Sequence, residues 1–328
     1  MKMTHRKCLE KTLAGQSPDR IPWALWHHFP VDDQDPIALV KATLAFQDQF
    51  GFDLIKVMPP SSFCLKDWGA EDEWQGNLEG TRAYVRRPIQ KPEDWYSLQI
   101  LDPYQGYLNR QLECLAYLKQ SVSPGTPYLQ TIFNPLSQAK NLVGPENLSV
   151  HLRQYPDALH TGLKTILETT LRFIDAAKGF GISGIFLAIQ HASFQVLTKD
   201  EYQEFGCAYV KLILETVNNL WINVAHLHEN AVMFDLIAKY PVQVLNWHDR
   251  ETPPNLSEGL QRFAGSVCGG ISRINSLVLG APEKIKTEAR QAIEQTNGQR
   301  LILGTGCVLP LNTPFGNIMA LHEIVKAT

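Results

Sequence analysis

Several features that mark other protein classes are missing from the sequence. No apolar run reaches the roughly 20 residues that a membrane-spanning helix needs. No Lys/Arg stripe with interleaved aromatic residues is present, and the formal net charge is -3, which gives no electrostatic footprint for nucleic acid. The basic N-terminal stretch is not followed by the apolar core of a signal peptide. We therefore expect a cytoplasmic protein that binds neither nucleic acid nor membranes.

A disulfide framework is also missing. The six cysteines stand at positions 8, 64, 114, 207, 268 and 307, with no Cys-x-x-Cys pair. This scatter fits a reducing compartment, and a chain of 328 residues can bury a core large enough to need no cross-links. Five of the cysteines are most simply small buried hydrophobes. Cys307 differs because it follows a Gly-x-Gly segment at the end of an apolar run.

Apolar runs that are typical of β-strands alternate with segments of helical period. Eight strands are predicted, at residues 22–28, 53–58, 128–133, 184–189, 221–225, 242–247, 266–268 and 300–303. An amphipathic helix at 4–14 precedes them, and an excursion at 61–100, with a small β-hairpin over one mouth of the fold, follows the second strand. This order predicts an α/β protein with a single (β/α)8 TIM-barrel domain over residues 1–328. An open doubly wound sheet is the alternative, but its Gly-x-Gly-x-x-Gly fingerprint after a strand is absent.

Most histidines fall where such a barrel carries its chemistry. Six of the ten histidines lie at the carboxyl ends of predicted strands, the face at which TIM barrels place their active sites. These six are His27, His28, His191, His226, His228 and His248, and Cys307 follows the last strand.

His226 and His228 are the candidate metal ligands, together with Cys307. Residues two apart on a strand point to the same side. Two imidazoles and a thiolate supply three ligands for tetrahedral Zn²⁺ and leave one position open, as in catalytic zinc sites. For an isolated His-x-His, a capping role is the simpler explanation, so the placement of Cys307 at the same rim is what favours a metal. Neighbouring polar groups can orient a ligating imidazole, namely Glu229, Asn246 and Asp249.

The remaining candidates have other roles. We expect substrate contact or proton transfer, rather than metal binding, from His27, His28, His191, His248 and Asp249. The segment Gly304-Thr305-Gly306 is a candidate anion cradle, although a tight turn explains it as simply. Trp247 is a candidate wall for a large ring-shaped cofactor, although aromatic residues at strand ends usually belong to the core.

Three motifs resemble the uroporphyrinogen decarboxylase superfamily. They are Pro18-Asp19-Arg20-Ile21-Pro22 before the first strand, Asn246-Trp247-His248-Asp249 at the sixth, and the tail from Leu303 to Asn317. The resemblance covers nearly the whole chain and implies a TIM barrel. Because members are often dimers, it also implies a homodimer.

The decarboxylase branch of that superfamily is the poorer match. Its members carry arginines after the first strand and an aspartate after the second, whereas Leu25 to Pro30 holds no arginine and Lys56 to Pro60 no aspartate. Thr305 replaces the histidine of the family's last-strand Leu-Gly-x-Gly motif. A polyanionic tetrapyrrole would therefore lose its charge-assisted contacts.

The branch of methylcobalamin:thiol methyltransferases is the closer match. Its zinc motif is similar to His-x-Cys after the fifth strand plus a Gly-Cys in the last loop. His226 and Cys307 match that motif, and His228 replaces the middle cysteine. The resemblance implies a zinc-dependent enzyme that moves a methyl group between a corrinoid and a thiol, with a small thiol or methylated substrate and a corrinoid protein as partners. Two imidazoles and one thiolate would make the zinc a stronger Lewis acid.

Three alternatives stay open. One is a cofactor-free decarboxylase that acts on a tetrapyrrole or another carboxylated aromatic compound. Another is a corrinoid- or tetrapyrrole-binding module without catalysis. The third is a hydrolase or lyase that uses zinc-bound water, with His248 or Asp249 as general base.

Overall fold

The protein folds as a barrel of parallel strands inside a ring of helices. The computed structural model describes residues 3–327. The strands are β1 (Trp23–Ala24), β2 (Ile55–Val57), β3 (Glu71–Glu73), β4 (Ala83–Arg86), β5 (Tyr128–Phe133), β6 (Gly184–Ile189), β7 (Val224–Leu227), β8 (Val244–Trp247), β9 (Ser266–Ile271) and β10 (Leu301–Thr305). Eight of them form one parallel sheet in the order β1-β10-β9-β8-β7-β6-β5-β2. The predicted (β/α)8 barrel is confirmed.

The helices follow the strands as the alternation predicts. They are α1 (His5–Leu13), α2 (Pro36–Phe50), α3 (Gly106–Ser121), α4 (Pro135–Val143), α5 (Pro145–Gln154), α6 (Pro156–Lys178), α7 (Lys199–Tyr202), α8 (Ala208–Thr216), α9 (Phe234–Ile237), α10 (Leu256–Arg262), α11 (Pro282–Thr296) and α12 (Phe315–Ala327). Their ends carry ordinary signals. For example, Asp35 caps α2 and Gly51, at φ 68°, ends it. Among the described residues, no helix is both long and apolar enough to cross a membrane.

Strand alternation divides the side chains into a barrel interior and a layer beneath the helices. In β7, Val224 packs inside the barrel, whereas Ala225 and Leu227 belong to the core under the helices. Leu9 of α1 joins the interior cluster, and the Oγ of Ser266 at the start of β9 donates to the carbonyl of Thr12 at 3.3 Å. Helix α1 therefore closes the end of the barrel at which the strands begin. The opposite end, where the strands finish, is called the mouth below.

The seam between β1 and β2 is closed by one backbone hydrogen bond and the side chain of Asp53 instead of a strand ladder. The Asp53 N–H donates to the Trp23 carbonyl at 2.9 Å, and the Trp23 N–H donates back to Oδ2 of Asp53 at 3.1 Å. The Asp53 carboxylate is fully buried and pairs with Arg20. This gives a structural reason for Arg20 in the first of the three sequence motifs.

The excursion after β2 contains the expected hairpin. Strands β3 and β4 pair antiparallel, and residues 77–80 of the turn between them, the cap turn, rest on the mouth. The Leu78 carbonyl accepts from the Leu311 N–H at 2.7 Å. Gly80 has φ +73°, and a Cβ there would come within 2.6 Å of the Cβ of His28. Only glycine allows the cap turn to lie this close to the end of the first strand.

Candidate metal centre

Three side chains from three strands converge at the mouth. His226 lies within β7, His248 follows β8 directly, and Cys307 follows β10. One donor atom from each lies within 4.8 Å of the other two, and each of the three residues is only 5% exposed. This set is called the donor cluster below. Two imidazole nitrogens and one thiolate sulfur at this spacing can bind a single metal ion.

Asn246 fixes the ring of His226. The Asn246 side-chain amide donates to the carbonyls of Cys268, at 2.9 Å, and Thr305, at 3.0 Å. Its Oδ1 is therefore the atom that faces Nδ1 of His226 at 2.7 Å, and the His226 Nδ1–H must donate to it. This leaves the lone pair on Nε2, which lies 3.8 Å from Sγ of Cys307. Burial lowers the pKa of His226 to about 4, so the imidazole is neutral and able to bind a metal.

Glu251 holds the ring of His248 in the same way. Nδ1 of His248 donates to Oε2 of Glu251 at 3.1 Å. Its Nε2 is buried and makes no hydrogen bond to any residue that the structure describes, which leaves it as the nitrogen free to bind a metal. An outer hydrogen bond that fixes the tautomer is the usual support of a metal-ligating histidine. Both imidazoles of the donor cluster have one.

Cys307 supplies the anionic member of the donor cluster. Burial would raise the pKa of its thiol, but the imidazoles of His226, His228 and His248 hold that pKa well below its ordinary value, so the sulfur is a thiolate at neutral pH. The preceding Gly306 makes the approach possible, because a Cβ there would lie 2.5 Å from the Trp247 carbonyl oxygen. The buried Thr305 hydroxyl donates to the Cys307 carbonyl at 2.6 Å. Close packing is thus a structural reason for this loop sequence, for which an anion cradle and a tight turn were the two interpretations.

His228 stands beside the donor cluster. Its ring centroid lies 5.8 Å from that of His226 and 5.5 Å from that of His248. Burial opposes a charge on His228, but Cys307 and Glu229 raise its pKa to about 9, so it is an imidazolium in the metal-free protein. The structure brings two of the three predicted ligands, His226 and Cys307, together. The third member of the donor cluster is His248, for which substrate contact or proton transfer was predicted, and not His228.

Lys56, a partly buried lysine that lies beneath the donor cluster, was missed in the sequence. Nζ of Lys56 lies 3.9 Å from the ring centroid of Phe186 and 5.4 Å from that of Trp26, and no carboxylate pairs with it in residues 3–327. Burial lowers the pKa of Lys56 to about 7. Its position was readable from alternation, because Lys56 shares its parity on β2 with Leu54 and Met58, both of which pack inside the barrel.

Two of the other predicted histidines line the mouth without joining the donor cluster. Nδ1 of His28 and Nδ1 of His191 are both buried without a hydrogen-bond partner among the described residues. Burial, and then the charge of Lys56, lower the pKa of His28 to about 3. Burial and Lys140 lower that of His191 to about 4. His191 at φ 70° and Glu229 at φ 75° are non-glycine residues in the left-handed region, a strain that is common at functional sites.

Three predicted site residues lie away from the mouth, and the structure corrects their placement. His27 packs between Phe29 and Phe46, with ring centroids 4.3 and 4.5 Å away. Trp247 is fully buried under the helices, and its Nε1 donates to the Pro254 carbonyl at 2.8 Å. Asp249 accepts from the Gly270 N–H at 3.1 Å, and burial raises its pKa to about 7. Trp247 points away from the barrel interior because it neighbours the inward Asn246 on β8, and the contacts of His27 and Asp249 likewise hold their side chains away from the donor cluster.

Comparison with known proteins supports the resemblance that the motifs indicate. The family model described as uroporphyrinogen decarboxylase (URO-D) matches residues 4–328. A methylated-thiol–coenzyme M methyltransferase of Methanosarcina mazei is 22% identical over 214 residues, which are 62% of this chain and 53% of that protein. The chain thus spans about half the length of this relative. A methylcobamide:CoM methyltransferase of Methanosarcina acetivorans is 18% identical over 264 residues, which are 76% of this chain and 73% of that protein.

Solved structures share the barrel. A methyltransferase from Methanosarcina mazei superposes with a TM-score of 0.86 at 19% identity, over 99% of both chains. A B12-independent methionine synthase from a Shewanella species gives a TM-score of 0.55 at 14% identity, over 94% of both chains. These likenesses concern the fold. The match of the family model over nearly the full length settles the classification: the chain belongs to the uroporphyrinogen decarboxylase family.

Proposed function

We propose that this protein is a zinc-dependent methyltransferase that moves a methyl group between a corrinoid and a thiol. The observation that carries the proposal is the donor cluster, in which His226, His248 and Cys307 lie within 4.8 Å of one another. The names of the two Methanosarcina relatives, both methyltransferases with coenzyme M in their names, support the same class.

The chemistry of the donor cluster fits zinc. A thiolate is a soft ligand that disfavours Mg²⁺ and Ca²⁺, and two imidazoles with one thiolate supply three zinc ligands and leave a fourth position for substrate. Asn246 and Glu251 hold Nδ1 of His226 and His248, which leaves Nε2 of each ring for the metal. Burial opposes a charge on His248, but Cys307 and Glu251 raise its pKa, so metal binding would displace a proton from its Nε2. We therefore assign the metal to His226, His248 and Cys307, with His228 as a neighbour of the bound substrate.

The residues around the donor cluster have different roles in the proposed reaction. Zinc, when bound, would supply a Lewis acid that keeps a substrate thiol ionised at neutral pH. The thiol proton must leave before the sulfur can act as nucleophile. His228, whose side chain is 29% exposed beside Glu229, is the group placed to pass that proton to water, once it has given up its own proton. Zinc bound to Cys307 would favour that loss, because it would neutralise a thiolate that raises the pKa of His228. Lys56 lies beneath the site with its Nζ against the rings of Trp26 and Phe186, and this apolar lining would limit the access of water to the reacting sulfur.

Metal analysis with paired variants tests the assignment. We expect about one zinc per chain in the purified protein, and its loss in Cys307→Ala and His248→Ala. In His228→Ala we expect the metal to stay while methyl transfer from methylcobalamin to small thiols slows. Cys114→Ala is the matched control, because Cys114 is a buried cysteine on α3 with a raised pKa, remote from the mouth.

The outcomes separate this proposal from its alternatives. Absence of stoichiometric zinc, or full zinc in Cys307→Ala, would refute the metal site. Turnover of uroporphyrinogen by metal-free protein would favour a decarboxylase instead. Tight corrinoid binding without turnover, unchanged by substitution of His248, would favour a binding module.

A further inference from the structure

A chain of charged side chains leads from the donor cluster to the cap turn. Oε2 of Glu251 accepts from Nδ1 of His248 at 3.1 Å. The other carboxylate oxygen of Glu251 lies 3.7 Å from Nε of Arg273, and the Arg273 guanidinium pairs with Glu79 of the cap turn. The Arg273 side chain is only 13% exposed, so the guanidinium is held between two carboxylates from distant parts of the sequence.

The cap turn is seated on the mouth by several contacts besides this ion pair. Its Leu78 carbonyl accepts from Leu311, four residues after Cys307, and Gly80 packs against His28. Just beyond the cap turn, Arg82 donates to the Pro30 carbonyl at 2.9 Å. The cap turn thus touches the loops after β1, β9 and β10, and the last of these carries Cys307 of the donor cluster.

We propose that Glu251 is the positioning residue of His248, and that Arg273 and Glu79 link its support to the cap turn. Metal affinity at the donor cluster then depends on whether the cap turn is seated. This inference rests on the proposed function, because it takes the donor cluster to be a metal centre. It assigns roles to three residues for which neither the strand-end pattern nor the family resemblance gave any signal.

The expected change in metal affinity follows from how the Arg273 guanidinium is shared between Glu251 and Glu79. A carboxylate that accepts the Nδ1–H of an imidazole fixes the lone pair on Nε2 and makes the ring a better ligand. Glu251 also faces Arg273, which competes for its negative charge. When Glu79 shares the guanidinium, Glu251 is the stronger acceptor for His248. If Glu79 is neutral or displaced, Arg273 draws Glu251 towards itself, and the support of His248 weakens.

Metal titration of the full chain tests both links. The probe is Co²⁺, measured by competition with a chromophoric chelator and by its visible absorption spectrum when bound. We expect Glu251→Ala to weaken Co²⁺ binding by about 10- to 100-fold, and Glu251→Gln to recover part of this, since its amide oxygen still accepts from Nδ1. Glu79→Gln should weaken binding by about 1.5- to 5-fold, the range of a partly exposed ion pair.

Glu71→Gln is the matched control. Glu71 pairs with Arg86 at 2.9 Å in the same hairpin, with both side chains more than half exposed, and neither contacts Arg273. Its affinity should equal that of the unmodified chain. Wild-type affinity in Glu251→Ala overturns the positioning role, and equal affinities in Glu79→Gln and Glu71→Gln overturn the link to the cap turn. Thermal melting of each variant verifies that it is folded.

A metal-free readout separates this inference from the proposed function. The ¹⁵N chemical shifts of His248 in the apoprotein, recorded at alkaline pH, report which ring nitrogen carries the proton. We expect the Nδ1–H tautomer in the unmodified chain and in Glu251→Gln, and a mixture in Glu251→Ala. If these shifts appear but the chain binds neither Co²⁺ nor Zn²⁺, the positioning of His248 stands and the metal centre falls. If the tautomer is the same in Glu251→Ala, the positioning role falls regardless of metal.

Discussion

Replacing Asn246 with alanine should harm stability and metal affinity together. The side chain is fully buried and makes three hydrogen bonds, two to carbonyls and one to His226, at 2.7 to 3.0 Å. Asn246→Ala leaves these three partners buried without it, at roughly 1–3 kcal/mol for each unpaired group. Because the backbone relaxes in part, we expect a loss of about 3–5 kcal/mol, a large share of the 5–15 kcal/mol that stabilises a typical domain.

The effect on the metal follows from the tautomer of His226. Without the Asn246 carbonyl oxygen, the His226 ring is free to rotate and to carry its proton on either nitrogen. We expect zinc affinity to fall by about 10- to 100-fold. Urea unfolding of the metal-free protein measures the first effect, and competition with a chromophoric chelator measures the second.

Val244→Ala is the control for Asn246→Ala. Val244 lies two residues earlier on β8, faces the same barrel interior and is fully buried. Its truncation should cost about 1–3 kcal/mol through lost burial and a small cavity, but should leave zinc affinity unchanged. If the two variants bound zinc equally well, the orienting role of Asn246 would be refuted, whatever their stabilities.

Three further outcomes follow from the geometry. Lys56 has a folded pKa of about 7 against an ordinary 10.5, so the unfolded chain binds more protons between these values and stability rises with pH across them. Lys56→Met should stabilise the metal-free protein by a few kcal/mol, at most about 5, at pH 7 and below. Urea unfolding should show that this gain shrinks as the pH rises towards 10.5, and a gain that does not change with pH would contradict a charge held in a low-dielectric site. Gly306→Ala, whose Cβ would lie 2.5 Å from the Trp247 carbonyl oxygen, should lower both melting temperature and zinc content, whereas Gly316→Ala, with open space around its Cβ, should lower neither. Absorbance near 240 nm should show one thiolate at neutral pH in the metal-free chain, and it should vanish in Cys307→Ser.

The barrel was predictable because its signal is local and repeated. Each strand is a short apolar run that ends at a polar or glycine-rich segment, and each helix has its own period and caps. The end of β7 was placed differently in the structure, which extends the strand to Leu227. There the side chain of His226 is inside the barrel and bonded to Asn246 on the neighbouring strand, a contact that no local pattern reveals.

The sequence indicated that candidate ligands lie at the mouth of the barrel, but it did not indicate which three side chains form the donor cluster. Counting residues from strand ends placed His226 and Cys307 at the mouth together with His248. Which of His228 and His248 faces Cys307 depends on the loop conformations after β7 and β8, and these are set by long-range contacts such as the one between His248 and Glu251. Strict use of alternation would have avoided one error, because an inward Asn246 requires that Trp247 point outward.

The sequence alone did not predict ion pairs between residues that are far apart in the chain. Arg273 and Glu79 are 194 positions apart, and no local sequence pattern pairs them. Only the folded barrel, which brings the hairpin excursion to the ends of β9 and β10, places them together above His248.

The most direct test of the account is an anomalous-difference map recorded at the zinc absorption edge. It should show one peak at the mouth, bound by Nε2 of His226, Nε2 of His248 and Sγ of Cys307, with His228 outside bonding distance. A map of zinc-supplemented crystals without a peak there would contradict the metal centre, and a peak bound by His228 in place of His248 would contradict the ligand set assigned from the geometry.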